Sequence, residues 1–96
     1  MPKTKICITD PEKVILHEKG YSASDIREIS AGLKKTTYYI IDREGFPLQI
    51  TESDAIRRLG REEWLKGVAR STFHNEALRW GLSGERVKIQ TRLWAS

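Results

Sequence analysis

The sequence predicts one small α+β domain, an antiparallel sheet covered by helices, and three observations carry that prediction. Residues 36–41, Thr-Thr-Tyr-Tyr-Ile-Ile, are all β-branched or aromatic, a composition that suits a pleated surface far better than a helix. Thr9 with Glu12 and Ser22 with Asp25 stand at capping-box spacing just before apolar residues, a signature of helix starts. Val87, Ile89, Thr91 and Leu93 alternate with Arg86, Lys88, Gln90 and Arg92, the period of a half-buried strand with one basic face. A length of 96 residues leaves room for a single domain, 1–96, with a thin core.

Taken in order, Lys5-Ile6-Cys7-Ile8 reads as an opening strand. Thr9 then caps a helix over about residues 11–19, with Pro11 tolerated in its first turn and Gly20 as its stop. Val14, Ile15 and Leu16 would supply its buried face. Three adjacent apolar residues carry no clear period, so a strand through 14–16 stays open as an alternative. Ser22 starts a second helix, in which Ile26, Ile29 and Leu33 recur at helical intervals. A β-hairpin follows over about 36–51. Asp42-Arg43-Glu44-Gly45 is its turn, and Pro47 places the second strand at an edge or at its own beginning.

Thr51 or Ser53 caps the next helix, through Ala55, Ile56 and Leu59 to Gly60. Residues 61–80 read as helical, because Leu65, Ala69, Phe73, Ala77 and Trp80 are spaced 4, 4, 4 and 3 apart, with Trp64 and Val68 widening the stripe. On this reading Trp64 and Trp80 both belong to the core. Gly67 and the Ser71-Thr72 pair leave open whether the region is one helix or two. A C-terminal strand completes the sheet. No internal repeat, low-complexity segment or linker is visible.

Net charge is +4, of which residues 1–48 carry +1 and residues 49–96 carry +3. That excess draws a domain toward phosphate backbones without defining a site. The single cysteine, Cys7, rules out an internal disulfide and a cysteine metal cluster. Its apolar surroundings predict an inert, buried thiol. No apolar run approaches the roughly 20 residues of a membrane span, and the N-terminus lacks a signal-peptide core. The expectation is a cytoplasmic protein with no membrane partner. His17 and His74 are the only imidazoles and lie in no metal-ligand spacing, and glycines occur singly. Nothing resembles a nucleophile–base pair or a phosphate-cradling loop. The chain is therefore expected to be no enzyme and to use no cofactor and no metal.

Two stretches resemble helix-turn-helix elements. Gly67-Val68-Ala69-Arg70-Ser71-Thr72-Phe73-His74-Asn75 resembles the turn and recognition helix of repressor-type motifs. The resemblance implies that Arg70, His74 and Asn75 reach base edges and that Ser71 and Thr72 bond phosphates. Arg79 would add a further cation, with Arg57, Arg58 and Arg61 in support. Residues 18–38 resemble the same element of resolvase-like and phage regulatory proteins, through Gly20-Tyr21-Ser22 before one helix and Gly32-Leu33 before the next. Arg27 stands where that pattern usually has Ala. A third surface is the C-terminal strand, whose Arg86, Lys88 and Arg92, with Gln90 and Trp94, share one face. Cations with an aromatic can track a nucleic-acid backbone and stack a base, and Lys and Arg also protect an ordinary strand edge.

The sequence thus points first to a small DNA- or RNA-binding accessory or regulatory protein with a helix-turn-helix-like element. The alternative is a non-enzymatic protein-interaction module, an adaptor or inhibitor, docking through its sheet edge and terminal strand. The layout also resembles small accessory proteins carried by phages and mobile elements.

Overall fold

The computed structural model describes residues 7–92. Thr9, Ser22 and Thr51 each hold the backbone extended while the side chain accepts a hydrogen bond from the N–H three residues on. That bond satisfies a donor left orphaned at a helix start. The three helices so begun are α1 (Asp10–Glu18), α2 (Ala23–Gly32) and α3 (Glu52–Leu59). At α1 and α2 the box is reciprocal, with Glu12 and Asp25 accepting from the N–H of Thr9 and Ser22. Residues 14–16 are therefore helical, and one of the three, Leu16, is fully buried while Val14 faces solvent.

A 3-10 turn, Leu33–Lys35, leads from α2 into β1 (Thr36–Ile41), which pairs with β2 (Pro47–Ile50) as the expected hairpin. Asp42 Oδ1 accepts from the N–H groups of Glu44 and Phe46, both at 2.9 Å, and Gly45 takes φ +89°. An Asp opening the turn and a Gly at its left-handed position are the residues this geometry requires.

The next helix, α4 (Arg61–His74), runs unbroken through Gly67 and Ser71-Thr72. The expected helix over 61–80 is thus one helix, but it stops at His74. Asn75 adopts the left-handed conformation, φ 67°, which Asn tolerates better than most residues and which ends a helix. The chain then enters β3 (Glu76–Trp80), a strand where the apolar spacing predicts helix, and returns as β4 (Arg86–Thr91). Ala77 is buried in either conformation. Trp80 is not: in the strand it points away from the core and is 68% exposed. Phe73 also lies at the margin of the core, stacked on Tyr21 at 5.9 Å with an interplanar angle of 16°.

The sheet is fully antiparallel with order β2-β1-β4-β3. The predicted opening strand lies partly outside the described residues. Cys7 and Ile8 belong to no strand, and Cys7 is exposed rather than buried. The fourth strand is instead β3. The element order ααββ therefore occurs twice, and the turns match as well. Asp42 N–H bonds Phe46 O and Gly81 N–H bonds Glu85 O, with Gly45 and Gly84 at the same turn position and both at positive φ.

The helices cover one face of the sheet. Tyr38, Val87, Ile89 and Ala77 point into a core shared with Leu16, Ile26, Ile29, Leu59, Trp64, Leu65, Val68 and Ala69. The closest approach is at Gly67, where an added Cβ would collide with Ile89 Cδ1. A polar chain ties the layers together. Arg61 donates to both carboxylate oxygens of Glu12, at 2.7 and 3.0 Å, and to the carbonyl of Cys7. Its guanidinium lies 4.5 Å from the centroid of the Trp64 ring. Trp64 Nε1–H donates to the Tyr38 hydroxyl at 3.0 Å, and that hydroxyl donates to Glu52 at 3.3 Å. Burial pushes the Tyr38 phenol up, with Trp64 opposing and Glu52 adding to the shift. Burial likewise raises the Glu52 carboxyl. No helix among the described residues is long and apolar enough to cross a membrane.

Candidate nucleic-acid interface

The two helix-turn-helix readings do not survive as geometry. Gly67 sits inside α4, so no turn separates two helices there. In the other stretch, the segment read as a recognition helix is the 3-10 turn and β1. Ser71 and Thr72 are buried, because they lie on the side of α4 that faces the sheet. Ser71 Oγ lies 3.1 Å from Val68 O and 2.7 Å from Thr91 Oγ1, and its one proton serves either acceptor. Thr72 Oγ1 donates to Val68 O at 2.7 Å. Thr91 Oγ1 in turn meets Thr36 Oγ1 at 2.9 Å, and Thr36 donates to Gly32 O at 2.8 Å. These hydroxyls stitch α2, α4, β1 and β4 and are not available to phosphate. Thr91→Val is expected to lower stability by about 1–2 kcal/mol, the cost of leaving buried polar groups unpaired. Urea unfolding reads that loss, and nucleic-acid affinity at a denaturant-free reference should not move.

The remaining residues of that group divide. Asn75 is exposed and serves as the helix terminator described above. Arg57, Arg58 and Arg61 are engaged: Arg57 with Asp54 at 2.6 Å, Arg58 with Asp54 at 3.3 Å and Glu85 at 3.6 Å, Arg61 with Glu12. Arg70, His74 and Arg79 converge on one cleft with Lys19 and Lys66.

The C-terminal strand is brought to a different place. Strand alternation puts Arg86, Lys88 and Gln90 on the face of the sheet that carries no helix. Register then supplies their neighbours. Lys88 lies between Leu78 and Tyr39, and Arg86 between Trp80 and Ile41. Gln90 lies between Glu76 and Thr37, and Lys88 Nζ is 3.4 Å from Glu76. None of these residues is buried. Leu78 is 54% exposed beside the more open Trp80. At one end of the face Trp80, Arg86, Ile41 and Arg43 border a shallow hollow of about 520 Å³. Glu85 also borders it, with its carboxylate turned to Arg58. Arg92 is exposed just beyond β4, and Trp94 lies outside the described residues.

Tyr39, Arg43 and Trp80 are the members of this face that sequence reasoning missed. A signal for Trp80 exists: Ser83-Gly84 between two short alternating runs is a hairpin turn, and it makes 76–80 the partner of the basic strand. Tyr39 gives no such signal, since both faces of β1 are apolar or aromatic. Among the described residues no three His, Cys, Asp or Glu side chains cluster so as to hold a metal ion. No family model, curated protein or solved structure matches this chain. Fold and site together define a small α+β domain with one sheet face that carries no helix among the described residues, on which Trp80 lies beside Arg86 and Tyr39 beside Lys88.

Proposed function

We propose that the protein is a non-enzymatic nucleic-acid-binding protein that takes a single strand across the open face of its sheet. The observation that carries this reading is the interleaving of Trp80 and Tyr39 with Arg86 and Lys88 on a surface that no helix covers. Exposed rings stack on unpaired bases, which a duplex does not offer, while the cations follow the backbone. On and beside the face Arg86, Lys88, Arg43 and Arg92 stand against Glu76, Asp42 and Glu85, an excess of one positive charge, and Glu85 is turned to Arg58, so the surface leans toward phosphate.

Anisotropy titrations of labelled single-stranded and duplex oligonucleotides at about 50 and about 200 mM salt test it. Single strands should bind more tightly than duplex at both. Trp80→Ala should weaken the single strand about tenfold, the loss of one stacked base. Arg86→Ala should reduce the dependence on salt by about one phosphate contact. No binding at the lower salt overturns the proposal. The second reading would then take its place, and a specific observation favours it: β3 is an edge strand bearing exposed Leu78 and Trp80, a suitable seat for a strand of a protein partner.

A further inference from the structure

On the other side of β3 lies the cleft that gathers Arg70, His74 and Arg79, and we propose that it is a binding site for a single phosphate group. The site is assembled from three directions. Lys66, Arg70 and His74 stand at intervals of four on one face of α4, where successive turns stack side chains above one another. Arg79 projects from the core side of β3 and crosses α4 at Gly67, its Cγ lying 3.4 Å from where a Cβ at Gly67 would be. A larger residue there would displace its stem. Lys19 comes from the end of α1, and Tyr21 follows the reversal at Gly20, held by its stack on Phe73. Around a volume of about 220 Å³ these residues bring four cations and two further hydrogen-bond donors.

Internal demands do not use up this charge. Lys19 suits the carbonyl end of α1. Lys66 is engaged by Glu62 and Glu63, both at 3.5 Å. Glu63 is also the acidic neighbour of Arg79, at 3.6 Å, but this is too long for a hydrogen bond, and Arg79 Nε is buried with no acceptor among the described residues. Arg70 is exposed and makes no ion pair among the described residues. Arg70 without an ion pair, beside Lys19 and an Arg79 held only by its long contact to Glu63, leaves the cleft an excess of positive charge, which a phosphate oxyanion with several lone pairs would neutralise. The volume falls below the roughly 300–1,000 Å³ of pockets for drug-sized ligands, so the group recognised is the phosphate itself. It can belong to a free phosphate compound or to the terminus of a nucleic-acid strand.

This site shares no residue with the open face, so the two proposals stand or fall separately. The test is a thermal-shift titration with inorganic phosphate against chloride at matched ionic strength, on the wild type and on Arg70→Ala and Lys19→Ala. Both substituted side chains are exposed, so the variants should fold. A parallel titration compares an oligonucleotide with and without a 5′-phosphate. Phosphate should raise the melting temperature with an apparent Kd of about 1 mM, and Arg70→Ala should weaken that binding roughly tenfold. Tighter binding of the 5′-phosphorylated strand, lost in Arg70→Ala, identifies a strand terminus as the source. A response to inorganic phosphate alone identifies a small phosphate compound. No shift beyond that of chloride, or a shift unchanged in both variants, overturns the proposal.

Discussion

Trp64→Ala is expected to lower stability by about 4 kcal/mol, which for a domain of this size is roughly 20 °C in melting temperature. The indole is fully buried near the start of α4, and it is the largest side chain in a core that a short chain keeps thin. Truncation leaves a cavity between α4 and the sheet. It also removes the N–H that bonds the Tyr38 hydroxyl and the ring on which Arg61 rests. Trp64→Phe separates these contributions: it keeps most of the volume and loses the N–H, so its cost should be about half as large or less. Urea and thermal unfolding monitored by circular dichroism give both values. Equal losses in the two variants would mean that the hydrogen bond, not the volume, sustains the layer contact.

Arg61→Ala should cost about 2 kcal/mol, discounted from the usual figure for a buried pair because the guanidinium is partly open to water. Most of that loss comes from Glu12, whose carboxylate is nearly enclosed and keeps only Thr9 as a partner once the arginine is gone. The same pair sets the response to acid. Burial alone would raise the Glu12 carboxyl, but hydrogen bonds from Arg61 and from the backbone and hydroxyl of Thr9 outweigh it and hold the group below its ordinary 4.5. A carboxylate depressed in the folded state binds its proton more readily when unfolded. Its contribution is therefore complete above about pH 4.5 and is lost as pH falls through the lower folded value. Glu52 works the other way. Burial raises its pKa, so its contribution is greatest below its unfolded value and fades as pH rises through the folded one. Glu12→Gln should then flatten the acid decline in stability between about pH 5 and about pH 3. An unaltered acid decline would show that other carboxylates govern it.

What the sequence made legible is what depends on near neighbours. Thr9, Ser22 and Thr51 announce their helices because a cap is a bond across three residues, and 36–41 announces a strand through its side chains alone. Residues 76–80 were not legible in that way. Ala77 and Trp80 fit the helical period that Phe73 sets up, and only the left-handed turn at Asn75 and pairing with a strand ten residues on decide between the two. The site shows the same division. Arg86 and Lys88 could be read off an alternating strand. Trp80 was within reach only through the Ser83-Gly84 turn that makes 76–80 the partner of that strand, and Tyr39 was not, because Tyr38 and Tyr39 are equivalent until α3 and α4 choose a side. Ser71 and Thr72 looked like phosphate ligands because hydroxyls at a helix start often are. Their burial is set by which flank of α4 meets β4, a fact held in Gly67 and Ile89 together.

The doubled ααββ order has a consequence for the molecule's borders. The two hairpins follow one another across the sheet by displacement in the same sense, not by a two-fold rotation, since the order is β2-β1-β4-β3 throughout. The rim formed by β3 therefore stands to a neighbouring β2 as β1 stands to β4. Head-to-tail addition of copies along that direction is a heterologous contact, the kind that builds rings or filaments. Pro47 opposes such growth at one rim, because it removes a donor from the edge strand β2. Pro47 thus contributes little to the fold of a single chain and acts against edge-to-edge pairing between copies.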